Sequence, residues 1–109
     1  MADRQIRIAA NEALFREVNE QLDNLNADGT QSERLEIVCE CGSGSCSEPI
    51  SIRANDYELI RAHSTWFIVV PGHEIPDVED VVEFHERFYV VAKRAGRAAE
   101  LADELDSRG

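Results

Sequence analysis

The spacing of apolar residues in the first quarter of the chain predicts one long helix. Between residues 3 and 25, apolar side chains recur at steps of four, four and three, which is the period of a helix with a single apolar face. Polar and turn-forming residues fill the segment 26–32 and predict a loop after the helix. The residues expected to face the core from this helix are Leu14, Val18, Leu22 and Leu25.

Five segments further along the chain have the patterns of strands. Apolar and acidic residues alternate over 35–41, as in a strand with one buried face. The uninterrupted apolar run 66–70 indicates a strand covered on both faces. The remaining segments are shorter and also predict strands, namely 49–52, 81–84 and 88–91. Together these segments predict a small mixed sheet.

Two further helices are predicted from local signals. Asn55 is followed three residues later by Glu58, the pattern of a capping box, which marks the start of a short central helix. We expect that helix to bury Leu59 and Ile60. A weaker helical pattern spans 98–105 near the C-terminus. The predicted fold class is therefore α+β, with a small mixed sheet, an N-terminal helix, a short central helix and a weak C-terminal helix.

The composition is that of a soluble globular protein with a single domain, predicted to span 1–109. A formal net charge of −11 disfavours nucleic acids and anionic membrane surfaces as partners, because both are themselves negatively charged. The chain has no run of about 18 apolar residues that would span a membrane, and its charged N-terminus does not have the pattern of a secretory signal. Three cysteines are an odd number for a disulfide framework, so we expect a cytoplasmic protein.

Those three cysteines lie within eight residues, and this is the arrangement that requires a chemical explanation. Their spacing is C-x-C-x4-C, formed by Cys39, Cys41 and Cys46, and the last spacer contains two glycines. Alternation along a strand places Cys39 and Cys41 on the same side, and a flexible Gly-Ser loop allows Cys46 to fold back towards them. Zinc requires such convergence on a tetrahedron. The segment therefore predicts a metal site, with zinc as the expected metal.

A closed structural zinc site needs a fourth ligand, and the three histidines of the chain are the candidates. His73 follows Pro71 and Gly72 in a sharp turn after the buried run, so it is the first choice. His63, at the end of the central helix, is the second choice, and it would lie closer to the cysteines if the strands on either side of that helix were parallel. His85 lies near a predicted hairpin tip and is the least favoured.

Besides zinc, the sequence allows an iron–sulfur cluster held by three cysteines and one histidine, which is the main alternative. A second alternative is that the cysteines are buried core residues that bind no metal. This explanation suits a single thiol better than a cluster of three. A redox role is disfavoured, since the C-x-x-C spacing of thioredoxin-like motifs is absent.

Two resemblances support metal binding. The C-x-C-x4-C spacing resembles the zinc module that follows SET methyltransferase domains, although the likeness covers only those eight residues and implies no methyltransferase activity. The longer pattern resembles a group of short actinobacterial proteins with no established activity. The shared features are the helix 11–19, the cysteine knuckle 39–46, the turn Pro71-Gly-His-Glu74 and the strand 89–91. Because the Pro-Gly-His turn belongs to that pattern, the resemblance favours His73 as the fourth ligand.

The favoured function is a non-enzymatic interaction or regulatory module, in which zinc fixes the knuckle and an acidic face binds a protein partner. No catalytic residue is assigned. The acidic residues considered for that face are Glu74, Asp77, Glu79, Asp80, Glu83 and Glu86. The alternatives are a metalloenzyme with an open three-cysteine zinc site, in which Glu40 would be the general base, and an iron–sulfur protein. The sequence leaves the oligomeric state open.

Overall fold

The computed structural model describes residues 2–25, 34–43, 46–106 and 108. The predicted loop 26–32 and residues 44–45 of the cysteine segment lie outside these described residues. The described elements are α1 (Ala2–Leu25), β1 (Arg34–Val38), β2 (Pro49–Arg53), α2 (Ala54–Arg61), β3 (Trp66–Val69), β4 (Glu79–Phe84), β5 (Tyr89–Lys93) and α3 (Arg97–Glu104). In the described part of the chain, no helix is both long enough and apolar enough to cross a membrane.

The strands form two small antiparallel sheets. One sheet pairs β1 with β2, and the other has the strand order β3-β5-β4. The predicted α+β class with three helices is confirmed, but the strands are divided between two antiparallel sheets where one mixed sheet was expected. Since β2 and β3 belong to different sheets, the parallel pairing that would have favoured His63 does not occur.

The two sheets and the helices enclose one apolar core. The predicted buried run is confirmed, because Phe67, Ile68 and Val69 of β3 have no solvent exposure. β1 and β2 contribute Ile37 and Ile52, which are also fully buried or nearly so. Cys39 and Cys41 belong to the same cluster. The first two cysteines are therefore part of the core itself.

The long helix α1 is oriented opposite to the prediction. Leu14 is 60% exposed and Val18 is 41% exposed, so the predicted apolar stripe does not form the core contact. The buried side of α1 carries the small or apolar residues Ile8, Ala9 and Ala13 and, beside them, four polar residues, namely Glu12, Arg16, Asn19 and Glu20. Burying polar groups costs free energy unless each finds a partner. All four side chains form hydrogen bonds or ion pairs with later elements of the fold.

The polar side of α1 reaches most of the later elements. Asn19 bonds to both the amide and the carbonyl of Val38 at the end of β1. Arg16 donates to backbone carbonyls before β3 and in α3, and its guanidinium lies 4.6 Å from the centre of the Phe67 ring. Glu20 accepts hydrogen bonds from Tyr57 and Arg61 of α2. Polar contacts thus connect α1 to β1, α2 and α3.

Lys93, the single lysine of the chain, is completely buried between two carboxylates. Its Nζ lies 2.9 Å from Oε1 of Glu12 in α1 and 3.1 Å from Oε1 of Glu79 in β4. Burial, together with the nearby Glu79, raises the pKa of Glu12 to about 9. The folded protein therefore favours the protonated form of Glu12 at neutral pH.

The start of α2 also differs from the prediction. The helix begins at Ala54, and Arg53 at the N-cap position makes no side-chain capping bond. Glu58 does not form the expected capping box and instead accepts hydrogen bonds from Arg108. Ile60 is buried as expected, but Leu59 is 66% exposed. The capping-box prediction was wrong because Glu58 has a cationic partner from the far end of the chain.

Candidate metal centre

The cysteine segment runs along the outer edge of β3. The amide of Glu40 donates to the carbonyl of Ile68 at 2.8 Å, and the amide of Ile68 donates to Oε1 of Glu40 at 2.9 Å. On the returning arm, the amide of Cys39 donates to the carbonyl of Glu48 at 2.8 Å. The bonds to Ile68 satisfy edge groups of β3 that its partner β5 does not reach. They also place the cysteines beside the end of β3, where His73 follows.

A tight turn brings His73 back over the cysteines. Its amide donates to the carbonyl of Val70 at 2.9 Å, which closes a four-residue turn with Pro71 and Gly72 at the centre. Gly72 has a φ of 95°, the conformation that a type II turn requires after proline and that glycine adopts without strain. The Gly72 amide donates to Oε1 of Glu74 at 2.8 Å. The Pro-Gly sequence thus fixes the direction in which His73 leaves the strand.

The four predicted ligands converge on one point. The Sγ atoms of Cys39, Cys41 and Cys46 and a ring nitrogen of His73 all lie within 4.8 Å of one another. Nδ1 of His73 lies 3.6 Å from the Sγ atoms of Cys39 and Cys46. A tetrahedral zinc ion, with its usual bond lengths to sulfur and nitrogen, would separate these atom types by about 3.6 Å. The four side chains are therefore able to hold a metal ion.

Burial makes the charged, thiolate form of two of the three cysteines costly. Cys39 and Cys41 are buried, all three cysteines are free, and burial raises the pKa of the Cys39 and Cys41 thiols. The amide of Val70 donates to Sγ of Cys39 at 3.2 Å and so partly offsets the burial. A bound cation stabilises the thiolate form of its ligands outright.

Glu40, between the two buried cysteines, is a structural residue. Its carboxylate is fully buried and accepts hydrogen bonds from the Ile68 amide and from Nδ2 of Asn19. Burial raises the pKa of Glu40 to about 7, partly offset by these two donors. The general-base role considered for Glu40 is not supported, because both oxygens are already bonded to the fold. Glu40 and Asn19 instead hold the knuckle against β3 and α1.

Helix α1 also contacts the knuckle directly. Asn11 donates a hydrogen bond of 3.1 Å to the carbonyl of Gly42. A Cβ atom on Gly42 would lie 2.4 Å from Cγ2 of Ile8, a distance that side-chain carbons do not tolerate. Gly42 therefore allows the helix to approach the knuckle backbone closely. The metal ligands and α1 cannot be positioned independently of each other.

The centre lies near the surface on one side. A cavity of about 330 Å³ opens next to it, lined by Cys41, Gly42, Ser43, Cys46, His73 and Ile75. Cys46 and His73 are only partly buried, in contrast to Cys39 and Cys41. Cys46 and His73 are therefore partly accessible from solvent, while Cys39 and Cys41 are buried in the core.

The two histidines that were ranked below His73 lie away from the centre. His63 is exposed and stacks on Trp66 with 3.7 Å between ring centres. His85 is exposed and forms a 2.8 Å contact with Oε1 of Glu83. Within the described residues, neither belongs to the cysteine group.

The predicted acidic face does not form one continuous free surface. Glu79 is buried with Lys93 and so takes no part in it. Asp80 is exposed but paired with Arg94. The acidic residues of this segment are therefore partly committed to partners within the chain.

Sequence reasoning missed the groups that support the centre. Asn19 and Ile8 lie in α1, about twenty residues or more before the cysteines, and the Val70 amide has no sequence signature. Only Glu40 was singled out, and for a different role. Comparison of the chain with protein-family models, with curated proteins and with solved structures finds no match.

Proposed function

We propose that this protein is a small zinc protein in which Cys39, Cys41, Cys46 and His73 form a closed structural site, and that it acts as an interaction or regulatory module. The observation that carries the proposal is the 3.6 Å separation of the histidine nitrogen from two cysteine sulfurs. That value suits two ligands of one tetrahedral ion. The free thiols suit a reducing compartment such as the cytoplasm.

Zinc accounts for the donor set better than the alternatives do. Three thiolates and one imidazole are a standard structural zinc set. In an iron–sulfur cluster the four protein ligands are divided between two or four irons, so the set of donor atoms is spread more widely than four atoms that share one ion. A catalytic zinc keeps one position for water, whereas a fourth protein donor, His73, lies beside the three thiols here, which favours a closed site. The metalloenzyme is therefore the weaker candidate.

The interaction part of the proposal is supported by apolar side chains of α1 that lie outside the core. Ile6, Leu14 and Val18 are 37%, 60% and 41% exposed, respectively. Exposed apolar residues that cluster on one element are characteristic of binding surfaces. The zinc site would keep the surrounding elements rigid enough to present such a surface.

Metal analysis tests the proposal. Protein purified without added metal is expected to contain about one zinc per chain and no visible absorbance. Cys46→Ser should reduce the zinc content strongly, because a hydroxyl is a poor replacement for a thiolate, while Ser47→Ala at the next, exposed position should keep it. Less than about half an equivalent of zinc in the parent, or visible absorbance with bound iron, would overturn the assignment.

A further inference from the structure

The arginines of this acidic chain differ in whether they pair with a carboxylate of the same chain. Of its ten arginines, five form ion pairs with carboxylates, namely Arg4, Arg61, Arg94, Arg97 and Arg108. Arg16 is buried and donates to backbone carbonyls. The remaining four form no ion pair within the described residues, and they are Arg7, Arg34, Arg53 and Arg87. Three of these four line a single cavity.

That cavity has a volume of about 180 Å³ and lies where the β1–β2 sheet, the start of α2 and the β4–β5 turn meet. Arg34 and Arg53 are directly opposite each other on the paired strands β1 and β2. Like charges in such a position repel. Arg87 lines the cavity from the β4–β5 turn, so the three arginines come from three different segments of the chain. An anion in the cavity would offset the repulsion between them.

We propose that this arginine cavity, formed by Arg34, Arg53 and Arg87, binds a phosphate group. Guanidinium groups bind phosphate oxygens in pairs, which makes arginine the preferred residue for this ligand. Asp56 and Glu86 also line the cavity, so its formal charge is +1. That is a local reversal of sign on a chain of −11. The start of α2 adds positive potential, because the side chain of Arg53 has no acceptor with which to cap it.

The size of the cavity limits the ligand. Sites for drug-sized molecules have volumes of about 300–1,000 Å³, so 180 Å³ suits a single phosphate group and not a whole nucleotide. The phosphate can be the free ion or the end of a phosphomonoester. Both present the same oxygens to the arginines, and binding measurements distinguish them.

Titration calorimetry with inorganic phosphate and with phenyl phosphate, at constant ionic strength, tests the arginine cavity. We expect saturable binding to the zinc-loaded protein and a loss of at least about tenfold in affinity for the double variant Arg53→Gln/Arg87→Gln. The control Arg94→Gln/Arg97→Gln has the same change in net charge at exposed positions that do not line the cavity, and it should bind as the parent does. Tighter binding of phenyl phosphate would assign a phosphomonoester, and equal binding would assign the free ion. Absence of saturation, or equal loss in both double variants, would overturn the proposal.

A second inference concerns the outer side of α1. Ile6, Ala10, Leu14 and Val18 follow one another at steps of four, and all four are exposed. Side chains at this spacing lie in one row, here about 18 Å long. The opposite side of the same helix carries the buried polar residues. An apolar row on the outside of a helix whose inner side is polar indicates a surface that is covered by another helix.

The charges along α1 identify the covering helix as a second copy of this chain, and we infer an antiparallel α1–α1 dimer. Arg7 lies beside the N-terminal part of this row, whereas Glu17 lies beside its C-terminal part. In an antiparallel pair, the basic end of each helix lies beside the acidic end of the helix from the second copy. The two helix dipoles then point in opposite directions, which is favourable. Centred on Leu14, such a pair sets Ala10 opposite Val18 of the second copy. A parallel pair would bring like charges together.

This dimer rests on the proposed function, since it gives the interaction module its partner, and sedimentation equilibrium tests it. The parent is expected to form a dimer, and Leu14→Glu should weaken it by at least about tenfold, because the substituted residues face each other at the axis. Leu59→Glu changes a similarly exposed leucine of α2 and should leave the dimer intact. A monomeric parent that contains a full equivalent of zinc would overturn the dimer and leave the metal centre standing. A parent that is dimeric but contains no zinc would overturn the metal centre and leave the dimer standing.

Discussion

His73→Ala is expected to lose zinc to a chelator that the parent resists and to melt at a much lower temperature. Structural zinc contributes about 10–16 kcal/mol in small zinc-binding peptides, which exceeds the usual stability of a domain of this size. Removing one of four ligands therefore affects the whole fold. His63→Ala and His85→Ala are matched controls, because both side chains lie outside the cysteine group. Zinc release and thermal melting of the three variants should be measured side by side.

Two additional measurements sharpen this prediction. His73→Cys should largely retain the metal, since four thiolates are an equally good tetrahedral set. Acidification should release zinc from the parent, because protons compete for the imidazole and the thiolates. Loss of zinc from His63→Ala with retention by His73→Ala would contradict the ligand assignment. Retention by all three alanine variants would show that no histidine closes the site, and the open, catalytic alternative would then be favoured.

The second large effect is expected from Lys93→Met. This change leaves the carboxyl groups of Glu12 and Glu79 buried without their cation. Removing one partner of a buried ion pair typically costs about 3–5 kcal/mol, which is comparable to half the stability of a small domain. Arg94→Met, at the next position, breaks an exposed pair with Asp80 and should change stability little. Urea unfolding of the two variants gives the comparison, and equal losses would refute a buried cluster.

The pH dependence of the same cluster follows from Glu12. Its pKa is about 9 in the folded protein and 4.5 ordinarily, so the folded state keeps a proton that the unfolded chain has released. Stability from this group is therefore lost as the pH rises between these values, by up to about 1.4 kcal/mol per pH unit. Glu12→Gln, which imitates the protonated form, should make the free energy of unfolding depend less on pH over this range. The comparison requires urea unfolding of parent and variant from pH 7 upwards, where protons do not compete for the proposed metal ligands.

The candidate site was more predictable than the docking of the first helix. Three thiols in C-x-C-x4-C and a Pro-Gly-His turn are local patterns, and their chemistry limits what they can do. The orientation of α1 was not predictable, because its polar residues Glu12, Arg16 and Asn19 recur with the same period as its leucines. Periodicity shows that a helix has two different sides. It does not show which side finds partners.

The partners themselves were hidden by distance along the chain. From the sequence alone, Lys93 is an ordinary basic residue near the end of a strand. Its burial is explained only in the fold, where it contacts Glu12 from 81 positions earlier in the chain. The alternating pattern predicts that Glu40 faces solvent. In the fold its carboxylate is buried and accepts a hydrogen bond from an amide at the edge of β3. Both residues are buried and charged, and such burial depends on a partner that only the folded chain supplies.

The polar side of α1 also imposes an order on folding during synthesis. Arg16 donates to the carbonyl of Ala102, and Glu20 accepts from Arg108, so partners of the first helix lie 86 and 88 residues further along. A ribosome that makes about 5–20 residues per second delivers them many seconds after α1 has emerged. Until then water takes the place of these two partners, and the polar side of α1 has only its partners in β1, in α2 and before β3. Part of the packing of the segment that is made first thus waits for the segment that is made last, and contacts of such long range slow folding.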